Sequence, residues 1–434
     1  MDKLVIRGGR PLRGPLHVGG SKNTALPLMA AAVLAEGVTT LQNMPVLQDV
    51  FTFSNVLRVT GCHVEFDPDT EPSTPDLMRI DATRVGFPEA PYELVNKMRA
   101  SFYMLGALLG RCGKGRVSLP GGCAWGPRPV DLHLRAMEAL GASITEEEGY
   151  IIAKAPRGGL RGGRIRFEPS SVGATVNAML AASTAKGETV IENAAAEPDI
   201  IVFGDMLRAM GAQIDGLGTH TITVQGVAGL QPVTFRNCPD RIELGTYMIA
   251  AAMAAEPGHT VRLTGAEPAH LGDSFLDAFR ATEVPFELGP DWVDVTGVDR
   301  IAPVSVEATP YPGFPTDLQA QWTVLMAMAD GPSTVTDSIY ADRFKHIPEL
   351  WRMGIRATTD GASVHIAGKD GKPPHGAQVM STDLRASVSL VLAGMVAEGE
   401  THVLRVYHLD RGYERLEAKL TGAGIAIHRE QYSE

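Results

Sequence analysis

The feature that most constrains this chain is an internal repeat. One stretch recurs six times at a spacing of roughly 70 residues. Each copy opens with a helix of small apolar residues. The six texts are KNTALPLMAAAVLAEG, RASFYMLGALLGRCG, VGATVNAMLAASTAKG, ELGTYMIAAAMAAEPG, DLQAQWTVLMAMADG and DLRASVSLVLAGMVAEG, starting near Lys22, Arg99, Val172, Glu243, Asp317 and Leu384. All are apolar nearly all round and stop at a glycine. A strand with β-branched alternation follows each, as in GETVIENAA and GHTVRLTGA. A second, more amphipathic helix comes next. It ends at Thr60-Gly61-Cys62, Leu140-Gly141-Ala142 and Met210-Gly211-Ala212, and more weakly at Met353-Gly354-Ile355 and Ala423-Gly424-Ile425. The fourth copy departs here, reading RATEVPF.

A helix that is apolar on every side belongs inside a core. Six such helices predict an α/β fold with helices at the centre and sheets outside them. With 434 residues the chain exceeds one ordinary core and suits two domains, three repeats closing each. A solenoid of six stacked repeats is the competing architecture. Each repeat is long for that, and no polar capping repeat is evident.

Composition excludes several classes. A net charge of −11 argues against a nucleic-acid binder, though it permits a local basic pocket. The longest apolar stretch, Ala25 to Ala35, is too short to span a bilayer. The N-terminal text MDKLVIRGG has no apolar run of signal-peptide length. The four cysteines, Cys62, Cys112, Cys123 and Cys238, lack CxxC or metal-ligand spacing, which fits reduced thiols in a cytoplasmic protein. No Walker loop, G-x-G-x-x-G, H-E-x-x-H or serine elbow occurs, so no nucleotide or metal cofactor is signalled.

The repeat also speaks to function. Equivalent helix N-termini present backbone N–H groups that favour anions. Several carry cationic or polar residues: Lys22 with Asn23, Arg99, Ser171-Val172-Gly173 and Arg385. Each alone also fits a helix cap or a solvated charge. The stretch LPGGCAWGPRPVDLH puts Cys123 on a Gly- and Pro-rich loop near Arg128, either as a reactive thiol or as an ordinary free cysteine. FPTDLQAQ around Asp317 echoes STDLRAS around Asp383, and an aspartate at a helix start is often only a cap. In DRGYER, Arg411 and Arg415 are four residues apart, a spacing that also brackets a helix start.

SKNTALP, MRAS, LPGGCAWGPRPVDLH, SVGATV, FPTDLQAQ, TDLRAS and DRGYER, set on the sixfold repeat, resemble the enolpyruvyl transferase family from Met1 to about Arg429. The Cys123 and DRGYER loops are the specific parts. The resemblance implies an inside-out α/β barrel of two domains, three repeats each. One domain covers residues 22–237, the other residues 1–21 with 238–434, and the active site lies in the cleft between them. The implied reaction moves the enolpyruvyl group of phosphoenolpyruvate to the 3′-hydroxyl of UDP-N-acetylglucosamine. It passes through a tetrahedral ketal, releases phosphate and commits material to peptidoglycan.

By motif position, Lys22, Asn23, Arg128 and Arg411 match the phosphoenolpyruvate contacts. Cys123 matches the acid at the methylene carbon, Asp317 the group that takes the hydroxyl proton, and Asp383 a second acid. Arg99, Arg128, Pro129, Val130, Asp131, Leu132, Ser171, Val172, Gly173, Asp317 and Ile339 match nucleotide-sugar contacts, with Arg343 a further candidate. The partners are these two small molecules. The shikimate-pathway member of the family, and a silent paralogue that binds nucleotide sugar, are the alternatives. The Cys123 loop speaks against the first, and the intact set of polar residues against the second. Two departures stand out: Gln48 where the family often has lysine, and a Pro- and Asp-rich insertion between about Asp67 and Asp76.

Overall fold

The computed structural model describes residues 1–68, 76–96, 98–119, 130–369 and 371–432. It divides into two compact units, Met1–Gly19 with Pro239–Glu434, and Gly20–Cys238. Each has its own apolar core, one centred on residues such as Met29, Leu108 and Met179, the other on Met248, Trp322 and Leu390.

The six first helices are the buried ones. Lys22–Ala32 is buried from Thr24 to Ala32, Val172–Ala182 from Ala174 onward, and Gln319–Ala327 along its whole length. Arg241–Ala254 and Leu384–Val396 are likewise sunk in their core. In two repeats the helix starts in a tighter form. Arg99–Tyr103 and Thr316–Leu318 are 3₁₀ turns that pass into α-helix at Met104 and Gln319. Four starts are capped by side chains: Ser21 accepts from the Thr24 N–H, Ser171 from Ala174, Asp240 from Ile242 and Glu243, and Asp383 from Arg385 and Ala386.

Second helices bury one stripe. Asp273–Ala281 buries Phe275, Leu276 and Phe279, and the Phe275 ring packs with those of Phe279, Phe314 and Trp322 at centroid distances of 5.8–6.0 Å. After five of these helices a glycine takes the left-handed conformation: Gly61, Gly141, Gly211, Gly354 and Gly424. In the fourth repeat Glu283 adopts it instead, with φ 63°, which is the physical content of the RATEVPF departure.

Six four-stranded sheets form among the described residues, one per repeat. In the third, Arg164–Arg166 runs parallel to Glu188–Glu192, which is antiparallel to Thr221–Gln225, itself antiparallel to Gln213–Asp215. The parallel pair needs a crossover, and the buried first helix supplies it. Two repeats obtain that leading strand from elsewhere in the chain. Thr234–Arg236 precedes the Arg241 helix yet pairs with Val38–Gln42, and Leu16–His17 precedes the Lys22 helix yet pairs with Thr260–Thr264. Asp2–Arg7 then fills the sixth sheet between Glu400–Leu404 and Ala426–Gln431. The N-terminal residues therefore fold with the C-terminal half. Among the described residues no helix is long and apolar enough to cross a membrane.

Candidate active site

In the Gly20–Cys238 unit, Lys22 is the first residue of its helix and Asn23 the second. The Lys22 ammonium lies 3.6 Å from Asp49 Oδ2, and that carboxylate is only 5% exposed. A buried acid on the first turn of the Gln48–Val59 helix thus steers the lysine. Ser21 and Thr24 of the same helix start both donate to Asp199 Oδ1, at 3.2 and 2.8 Å. Two carboxylates, Asp49 and Asp199, thus hold the side chains of this helix start.

A second cluster in this unit gathers around His133. Val130 and Asp131 open the Asp131–Ala139 helix, with Leu132 next. His133 packs against Gly173 so closely that a Cβ on Gly173 would lie 3.0 Å from its Cε1. The start of the Val172–Ala182 helix therefore lies against the first turn of the Asp131–Ala139 helix, and Arg99 is close enough for its charge to act on the imidazole. The Asn177 amide accepts from Gly106 N–H through Oδ1 and donates through Nδ2 to Phe102 O. Its remaining N–H points to His133 Nδ1 at 2.7 Å, so that nitrogen accepts and the ring is neutral.

Burial, helped by the Arg99 charge, pushes the His133 pKa down to about 3. A histidine depressed in the folded state leaves stability intact above its unfolded value. The unfolded chain takes up a proton below about pH 6.5, so stability is lost as pH falls toward 3. Between pH 7 and 5 that loss is on the order of 2 kcal/mol. His346, buried and pushed down to about 4, acts in the same direction. Denaturant unfolding of His133→Gln should show a pH 7-to-5 loss smaller than wild type by about that amount; an equal loss would mean that His133 titrates normally.

The other unit holds Asp317 by both oxygens. Arg343 Nη2 donates to Oδ1 and Arg385 Nη2 to Oδ2, each at 2.8 Å. Burial alone would lower the Arg385 pKa, but Asp317 outweighs it and the guanidinium stays charged. Arg343 also donates to Thr316 Oγ1, which in turn donates to Asp337 Oδ2 at 2.6 Å. The buried Asp337 accepts the backbone N–H groups of Ile339 and Tyr340, fixing the turn that carries Ile339. Asp383 caps its helix as a carboxylate acceptor for two backbone N–H groups. Arg411 ends the Val406–Arg411 3₁₀ turn, and Arg415 opens the Leu416–Gly422 helix. His408 joins these elements: burial and the Arg411 charge lower its pKa, while Asp383 opposes them.

The structure thus brings together Arg99, Val130, Asp131, Leu132, Ser171, Val172 and Gly173 in one unit, with Lys22 and Asn23 at another helix start. In the other it brings together Asp317, Arg343 and Ile339, and separately Asp383 with Arg411. Cys123, Arg128 and Pro129 lie outside the described residues, as does most of the insertion before Asp76. Arg385, read from sequence only as a cation at a helix start, proves to be a ligand of Asp317. Asp337 and His408 drew no attention in the sequence, and Tyr413 entered only as a letter of DRGYER, with no role attached. The side-chain partners of Asp337 and Tyr413 are remote in the chain, so local text does not announce them.

A family profile described as EPSP synthase (3-phosphoshikimate 1-carboxyvinyltransferase) matches residues 6–420. A Chloroherpeton thalassium protein named UDP-N-acetylglucosamine 1-carboxyvinyltransferase is 50% identical, over 100% of this chain and 98% of its own length. One of the same name from Chlorobaculum parvum is 51% identical over 100% of both. Among solved structures, the enolpyruvyl transferase NikO from Streptomyces tendae superimposes with a TM-score of 0.88 at 27% identity, covering 100% of this chain and 99% of that one. EPSP synthase from Acinetobacter baumannii gives 0.75 at 18% identity, over 99% of this chain and 100% of that one, a likeness of fold.

Proposed function

This chain belongs to the enolpyruvyl transferase family that the EPSP synthase profile describes, and from that premise we infer that it transfers an enolpyruvyl group to UDP-N-acetylglucosamine in peptidoglycan synthesis. The observation that carries this reading is end-to-end identity to relatives named for that acceptor. The donor we assign is phosphoenolpyruvate, an anion with a phosphate and a carboxylate that needs several cations. Lys22, Arg128 and Arg411 supply the charge, and Asn23 adds neutral amide N–H donors. The nucleotide sugar takes Arg99, Arg128 to Leu132, Ser171 to Gly173, Asp317 and Ile339. Such substrates place the enzyme in the cytoplasm.

The chemistry needs two proton movements. Asp317 takes the proton of the 3′-hydroxyl as its oxygen adds to C2 of phosphoenolpyruvate, and Cys123 delivers a proton to C3. In the second half, C3 returns a proton to the Cys123 thiolate, the bond from C2 to the phosphate oxygen breaks, and phosphate leaves with the electron pair of that bond. The carboxylate of Asp317 is aimed by two guanidinium groups, so its position is set before substrate arrives. Asp383, near Arg411 and His408, is the second acid of this site.

Initial rates of phosphate release with phosphoenolpyruvate test the acceptor. The expected result is turnover with UDP-N-acetylglucosamine and none with shikimate 3-phosphate. The reverse preference would assign the chain to the shikimate branch of the family, and release with neither would mark a silent paralogue.

A further inference from the structure

Tyr413 lies in the last loop, two residues beyond Arg411, and its ring is 2% exposed. Its hydroxyl meets three groups: Thr246 Oγ1 at 2.9 Å, Gln321 Nε2 at 3.0 Å and Arg385 Nη1 at 3.4 Å. Proton counting gives each bond a direction. Thr246 spends its only hydroxyl proton on Ile242 O at 2.8 Å, so Tyr413 donates to Thr246. The phenol oxygen then accepts from Arg385 and shares with Thr246 Oγ1, also 3.0 Å away, the one Gln321 N–H left after the Asp317 carbonyl. Burial pushes the phenol pKa up, so the donor proton stays in place. Both groups that Tyr413 receives act on Asp317. Gln321 Nε2 donates to the Asp317 backbone carbonyl at 3.0 Å, and Arg385 Nη2 holds the Asp317 carboxylate.

We propose that Tyr413 is a positioning residue for Asp317: one phenol fixes the main chain of that aspartate through Gln321 and its carboxylate through Arg385. The proposal rests on the assignment of Asp317 as the group that takes the hydroxyl proton. A ring that only filled the core would be served equally well by phenylalanine. A ring that only supported the loop would act on Arg411 and so on the donor. The hydroxyl's partners point instead to the acceptor side of the reaction.

The test is Tyr413→Phe, which keeps the ring and removes the oxygen. The expected result is a kcat lower by about tenfold, with KM for phosphoenolpyruvate within about twofold of wild type. An unchanged kcat, or a raised KM for phosphoenolpyruvate at constant kcat, overturns the proposal. In an Asp317→Asn background, measured by single turnover at high enzyme concentration, the tenfold factor should shrink to less than about twofold. A factor that persists in full overturns it as well. A thermal-unfolding cycle with the same two substitutions reads the coupling without turnover, so it holds even if UDP-N-acetylglucosamine proves not to be the acceptor. Shifts that fail to add support the proposal, and additive shifts reject it. Wild-type turnover is measured alongside and tests the functional reading on its own.

Discussion

Cys123→Ser loses most turnover, by about 10²–10⁴-fold, while Cys123→Asp remains active. The reasoning is one of acid strength. A thiol of ordinary pKa near 8.5 gives up a proton far more readily than an alkyl alcohol, and a carboxylic acid more readily still. The same property makes Cys123 the first thiol to be alkylated, because thiolate is the nucleophile. Its competitors are poorer. Cys62 is buried, and burial raises its pKa despite the Thr60 hydrogen bond. Burial raises Cys112 too, against the pull of Arg111 and Lys114. Cys238 is half-buried, its sulfur 3.4 Å from Thr24 Oγ1. The phosphonate epoxide fosfomycin should add to Cys123 and inactivate the enzyme, and Cys123→Asp should resist it. Peptide mapping after limited alkylation checks the order; label on Cys62, Cys112 or Cys238 before Cys123 would remove Cys123 from the mechanism.

Asp317→Asn should cost as much in kcat, about 10²–10⁴-fold, since it deletes the group that takes the hydroxyl proton. It should also destabilise the fold, by about 2 kcal/mol. Arg385 is 3% exposed and Arg343 15%, and both lose a charged acceptor. An amide keeps one acceptor oxygen but turns an N–H toward the second guanidinium, where two donors face each other. The figure sits below that for a fully buried pair because Asp317 is itself 24% exposed. Kinetics and denaturant unfolding on the same preparation separate the two effects. Near-wild-type kcat with lowered stability would make Asp317 a structural ion-pair partner and nothing more.

The core was legible in the sequence because all-round apolar helices have only one place to go. Lys22–Ala32, Val172–Ala182 and Leu384–Val396 start within a residue of where their text predicts. The 3₁₀ openings at Arg99 and Thr316 were not legible, since i→i+3 and i→i+4 bonding place the same apolar residues inward over a single turn. Nor was the exchange of Thr234–Arg236 and Leu16–His17 between sheets, which short strands of ordinary composition cannot announce. Of the candidate site, the text nominates residues but not their contacts. The two guanidinium groups on Asp317 come from 26 and 68 residues away. At Asp383 the cap expected of an aspartate at a helix start is what the backbone shows. At Asp317 the same local text gives an ion-paired carboxylate, and only the tertiary structure separates the two.

Product analysis decides whether the 3′-hydroxyl of UDP-N-acetylglucosamine is the acceptor. UDP-N-acetylglucosamine and phosphoenolpyruvate are incubated with the enzyme and a metal chelator, and the sugar nucleotide is examined by mass spectrometry and NMR. A carboxyvinyl ether on the 3′ oxygen, formed in equal amount with inorganic phosphate, is the expected product. Unmodified sugar nucleotide, or phosphate released without the ether, would contradict it.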